Sequence, residues 1–128
     1  MKYLTIQQVL AIHDQMVKRF GGSHGIRDIG LVDSAVARPQ ATFSGHDLYP
    51  TTFQKAGALL QSLLKNHPFV DCNKRTALTS AAIFLKMNGY KLNNSHKEEV
   101  EFAIRVDNSN LEVAQIASWL KTHSIKSK

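Results

Sequence analysis

Apolar residues recur three and four positions apart along almost the whole of this chain, and nowhere do they alternate long enough to make a sustained strand. Ile6, Val9, Leu10, His13, Met16, Val17 and Phe20 share one face of a helix opened by Thr5, with Gln8 at the spacing of a capping box. Gly21-Gly22 stops it. Leu31, Val32, Ala35 and Val36 predict a short helix over 31–38, closed by Pro39. Thr51 or Thr52 opens the next, whose Phe53, Ala56, Gly57, Leu59, Leu60, Leu63 and Leu64 predict burial on more than one side before it ends at His67. From Asn73 to about Asn88 the pattern predicts a central helix with Gly89 as its stop, and its alanines permit close approach by neighbours. Ser95 with Glu98 opens a helix carrying Val100, Phe102, Ala103, Ile104 and Val106, and Asn110 caps a last one running through Trp119 and Leu120. The pattern predicts an all-α fold of about six helices, arranged as one domain over 1–128.

A chain of 128 residues with 43% apolar content can bury a core without covalent staples. Its one cysteine, Cys72, excludes an internal disulfide framework and fits a reducing compartment. No apolar run approaches a membrane span, and the first residues lack the pattern of a signal peptide, so a cytoplasmic location is expected. The net charge of +6 suits nucleotide phosphates, nucleic acid or an acidic protein, and does not choose among them. Part of it, Lys121, Lys126 and Lys128, reads as a frayed, solvated tail. The glycine-rich stretch 21–30 has no strand before it, as a P-loop would require, so its glycines are expected to serve turns. Residues 40–50, which keep no period and end at Pro50, are the expected mobile surface loop.

The chemistry is concentrated in His67-Pro68-Phe69-Val70-Asp71-Cys72-Asn73-Lys74-Arg75, where one helix stops and another begins. Asn73, Lys74 and Arg75 open the second helix, so their backbone N–H groups lack intrahelical partners, and two cationic side chains accompany them. That is a cradle for an anion, most naturally a phosphate. His67 at its rim can act as a base near neutral pH, or simply interact with its own helix end. Asp71 can hold a divalent cation bridging phosphates, orient the imidazole, or cap the following helix. Asn73 can cap or donate to a phosphate oxygen. Phe69 reads as a buried anchor, and Cys72 as packing filler. His13, on the apolar face of its helix, reads as a hydrogen-bonded core histidine.

This run resembles the signature of the Fic/Doc superfamily, His-x-Phe-x-Asp/Glu-Gly-Asn-Gly-Arg-x-x-Arg, and most closely its Doc (death-on-curing) toxin branch. Lys74 replaces the second glycine and Leu78 the final arginine, both as in Doc-like members, while Cys72 stands where these usually carry Ala or Gly. The resemblance implies the toxin of a toxin–antitoxin module, a phosphotransferase that moves the γ-phosphate of ATP, with Mg²⁺, to a threonine of elongation factor Tu. It implies His67 as the base, Asp71 as metal ligand or orienting group, and Asn73, Lys74 and Arg75 as phosphate holders. It also implies an antitoxin whose C-terminal segment lies in a surface groove, with nucleic acid contacted only through that partner. The alternatives are a Fic-type adenylyltransferase and, from another class, a basic nucleic-acid-binding module or RNA-acting toxin. The last draws on charge and on Arg19 and His24, which Gly21-Gly22 keeps off a common helix face.

Overall fold

The computed structural model describes residues 1–127 and is mostly helical, with short antiparallel strands at two places. Helix α1 (Ile6–Phe20) begins with the reciprocal Thr5–Gln8 cap and ends at Gly21, whose φ of 82° and N–H bond to the Val17 carbonyl turn the chain away. Helix α2 (Ile29–Ala37) starts two residues before the position expected, because the Asp28 carboxylate accepts from the Gly30 N–H. Pro39 then lies in a 3₁₀ turn, Arg38–Gln40.

Within the loop expected over 40–50 the chain forms a short hairpin. Thr42–Phe43 (β1) pairs with His46–Asp47 (β2) across Ser44 and Gly45, both with positive φ, as two-residue hairpin turns require. Lys55, 3% exposed, holds this hairpin down. Its ammonium donates to the Pro39 carbonyl at 3.0 Å and lies 3.5 Å from the Asp47 carboxylate.

Helices α3 (Thr52–Lys65) and α4 (Asn73–Met87) lie side by side at the centre, and α6 (Val113–Thr122) packs on α3 from elsewhere. Of these, α3 is the most enclosed: Leu59, Leu60, Leu63 and Leu64 are all at most 1% exposed. Two small-residue contacts bring the neighbours close. Ala77 and Ala81 of α4 are fully buried, and a Cβ on Gly57 would stand only 3.2 Å from the Val113 carbonyl oxygen. The helix expected to be central, α4, shares that place with α3 and leaves part of one side open.

Helix α5 (His96–Ser109) opens with the Ser95–Glu98 box. Asn110 does not cap α6. It ends α5 in a left-handed conformation, φ 49°, and its side-chain oxygen accepts from the Lys65 ammonium at 2.8 Å. The start of α6 is fixed instead by Gln115, whose side chain accepts from the Glu112 N–H. The connection at Tyr90–Leu92 is a strand, β3, paired antiparallel with Ser124–Lys126, β4. The segment expected to fray is therefore docked, with Ser127 donating to the Gly89 carbonyl, while Lys121 and Lys126 remain exposed. Lys128, assigned to the same tail, lies outside the described residues. Among the described residues no helix is long and apolar enough to cross a membrane.

Candidate active site

The motif loop is the short passage from α3 to α4. Asn66 still has helical dihedrals, His67 turns to φ 47°, and Cys72 turns again to φ 63° immediately before α4. Between the two turns Phe69 is driven into the core at 1% exposure. The His13 ring lies flat on it, 3.8 Å between centroids at an interplanar angle of 7°. His13 is itself 3% exposed, and its Nε2–H donates to the Asp71 carbonyl oxygen at 2.9 Å. The expected core histidine thus braces the motif from α1.

Asn73 has a different task from those expected of it. Its side-chain oxygen accepts the Phe69 N–H at 3.0 Å and its amide donates to the Phe69 carbonyl at 2.9 Å, so both polar ends are turned into the loop. Neither capping of α4 nor donation to a phosphate is what this buried side chain does; what Asn73 offers an anion is its backbone N–H. Asp71 takes the Ser23 N–H on Oδ2 at 2.8 Å, leaving it a partly engaged, exposed carboxylate. It caps the turn at the glycine-rich loop and makes no hydrogen bond to the His67 ring.

That glycine-rich stretch is a clasp on the motif loop. The Arg27 and Asp28 N–H groups both donate to the Pro68 carbonyl, Val70 donates to the Gly25 carbonyl, and Ile26 bridges to Phe69. The Arg27 guanidinium reaches the His67 carbonyl through Nε at 2.6 Å and the Asn66 carbonyl through Nη2 at 2.5 Å. Nothing local in the sequence marks Arg27: it stands outside the motif and outside any apolar period.

His67, Asp71, Asn73, Lys74 and Arg75 all line one cleft of about 530 Å³, within the range of small-molecule sites. Its other walls are largely apolar, from Phe20 of α1, Leu78 of α4, and Val100 and Ile104 of α5, with Thr79, His96 and Glu99 as polar members. The sequence pattern assigned Phe20, Val100 and Ile104 to the core, yet they are 50%, 41% and 45% exposed because they face this opening. The two cations diverge. Lys74 reaches to the Asp107 carboxylate of α5 at 3.5 Å, while the Arg75 guanidinium lies 4.2 Å from the Phe20 ring centroid. An exposed pair of the Lys74–Asp107 kind is worth only about 0–1 kcal/mol, less than a charge-assisted bond to a phosphate, so Lys74 can be drawn back over the helix mouth.

The mouth itself is distinctive. Helices α1, α3 and α5 open with complete capping boxes, and Asp28 caps α2. At α4 the preceding residue is a left-handed cysteine that makes no side-chain cap, and the first N–H groups are left for another acceptor. The family model described as the Fic/DOC family matches residues 3–85, which contain the clasp, the motif loop and the rest of this site except the wall from α5. The chain belongs to the Fic/DOC family.

Among relatives, a "Toxin Doc" of Mycolicibacterium smegmatis is 59% identical over 73 residues, which is 57% of this chain and 56% of that protein. The chain thus aligns with a little over half of that relative's length. A "Protein kinase doc" of Escherichia phage P1 is 29% identical over 121 residues, 94% of each chain. Within the Fic/DOC family, then, this site keeps the motif histidine and arginine beside a lysine and an apolar Leu78.

Proposed function

We propose that this protein is the toxin of a toxin–antitoxin module and acts as a phosphotransferase, moving the γ-phosphate of ATP to a threonine hydroxyl of elongation factor Tu and so arresting translation. The observation that carries the reading is the uncapped start of α4, opening onto a cleft that also contains His67, Lys74 and Arg75. The names of the two relatives support the same direction.

In this reading the neutral His67 imidazole takes the proton of the acceptor hydroxyl as its oxygen attacks phosphorus. The backbone N–H groups of Asn73, Lys74 and Arg75 donate to the phosphate oxygens, and the two side chains carry the neutralising charge as the bond to the leaving diphosphate lengthens. Asp71 fits a magnesium ion in one respect: it is a single exposed carboxylate beside the mouth, and magnesium is commonly held by one or two carboxylates together with phosphates and water. When bound there, Mg²⁺ supplies further charge neutralisation on the phosphates. The apolar wall formed by Phe20, Leu78, Val100 and Ile104 continues toward Lys86 and Lys91 beyond the catalytic end. It suits an amphipathic, acidic segment of the antitoxin.

The test is incubation with cell extract and either γ-labelled or α-labelled ATP. The expected result is γ-label on elongation factor Tu, abolished by His67→Ala. Transfer of the α-label would replace the kinase reading with adenylyl transfer. No label on any protein from either nucleotide would refute both.

A further inference from the structure

We infer that Arg27 is a positioning residue for His67, holding the imidazole toward the cleft by gripping the backbone on which it is mounted. The catalytic part of this inference rests on the proposed role of His67 as the base. The structural part does not.

His67 is in a conformation its sequence disfavours. A non-glycine residue seldom adopts a φ of 47°, and the residue before a proline is pushed by the ring toward extended backbone. Conformations of this kind persist only where the surroundings over-determine them. At the end of α3 the final carbonyls have no intrahelical donors, so something outside the helix must supply them.

Arg27 supplies two at once. Its Nε and Nη2 donate to the carbonyls on either side of the His67 Cα, those of Asn66 and His67, at 2.5–2.6 Å. Its own N–H donates to the next carbonyl, Pro68, at 2.8 Å. Three successive carbonyls are thereby fixed by one residue. The guanidinium is a rigid planar fork suited to two acceptors, which a lysine ammonium cannot reproduce. Relaxation of His67 to extended backbone would re-aim its Cα–Cβ bond, because φ sets that direction. Arg27 is exposed and fills no part of the core, so its removal leaves the packing of α3 and α4 intact.

The experiment uses the whole chain with Arg27→Ala and Arg27→Lys, read in two ways. Backbone ¹³C shifts of His67 report its conformation whatever reaction the protein performs. In both variants they are expected to leave the left-handed range while the melting temperature stays near that of the parent. Where γ-phosphate transfer is measured, kcat is expected to fall by about 10- to 100-fold with the KM for ATP unchanged. Millimolar guanidinium should restore part of the loss in Arg27→Ala. Unchanged His67 shifts in Arg27→Ala would overturn the inference, as would a parental kcat in Arg27→Lys. A parent protein without transfer activity, but with His67 shifts that respond to Arg27, would sink the proposed reaction and leave this structural assignment standing.

Discussion

Replacement of Asn73 by alanine distinguishes a side chain that serves a ligand from one that holds the loop. The carboxamide makes two bonds to the backbone of Phe69, at 3.0 and 2.9 Å, in surroundings where Phe69 is 1% exposed. Deleting it leaves a buried N–H and a buried C=O without partners, and each such orphan costs about 1–3 kcal/mol. Taking the middle of that range for the pair and subtracting about 0.5 kcal/mol for alanine's better helix propensity gives a loss of about 3.5 kcal/mol. For a chain of this size each kcal/mol moves the midpoint by about 4 °C, so melting should fall by about 14 °C.

Had the side chain served only a phosphate, the same substitution would leave stability level or raise it slightly. The two roles therefore differ in sign. Urea unfolding followed by circular dichroism measures the loss, and faster hydrogen exchange at the Phe69 amide locates it. Asn73→Asp should lie between the two, because it keeps the bond from the Phe69 N–H, loses the donor to the carbonyl, and places a favourable negative charge in the first turn of α4. A loss below about 1 kcal/mol in Asn73→Ala, with Phe69 exchange unchanged, would refute the loop role.

Four further outcomes are expected. His67→Ala should abolish growth arrest while leaving the helical spectrum and melting behaviour nearly unchanged, since the ring is exposed; a toxic variant would show the base to be elsewhere. Lys74→Gly should lower γ-phosphate transfer about tenfold or more and allow adenylyl transfer to appear, checked by mass spectrometry of the modified target; an unaltered rate would refute the role of Lys74. At Cys72, whose φ is 63°, glycine should be more stable than valine by at least about 2 kcal/mol in urea, and equality would mean the left-handed turn does not persist in solution. The Glu98 carboxyl is held below its ordinary range by hydrogen bonds from Ser95, with the charge of His123 adding to this. Its contribution is therefore present above the ordinary glutamate range and lost as pH falls through the lowered value, so Glu98→Gln should lose less stability than the parent on acidification, and parallel profiles would refute it.

What could be read from the sequence was what is encoded within a few residues. Thr5 with Gln8 and Ser95 with Glu98 are local devices, and the helices they start are where the spacing put them. The strands were hidden because each is two or three residues long, too short for alternation to register, and β4 is specified by Tyr90–Leu92, far from it in sequence. Asparagine serves both N-caps and left-handed stops, so the local pattern places Asn110 at the start of α6; Lys65, which decides the matter, is 45 residues away. The same division holds in the site. His67, Asp71, Lys74 and Arg75 gather in one cleft because they are nearly consecutive. The partners that set their directions, Asp107 for Lys74 and Phe20 for Arg75, belong to other helices, and only a folded chain brings them there.

The clasp between residues 21–30 and the motif loop makes the motif poorly portable. Its carbonyls are satisfied by donors 40 residues earlier in the chain, so a fragment beginning at α3 would contain every motif residue and still lack the frame that shapes them. Joining the two pieces also costs the closure entropy of a long loop, which favours late completion of the site, after α1 has packed on α4 and α2 on α3. Grafting the nine-residue run onto another helical hairpin would transfer the chemistry's vocabulary without its grammar.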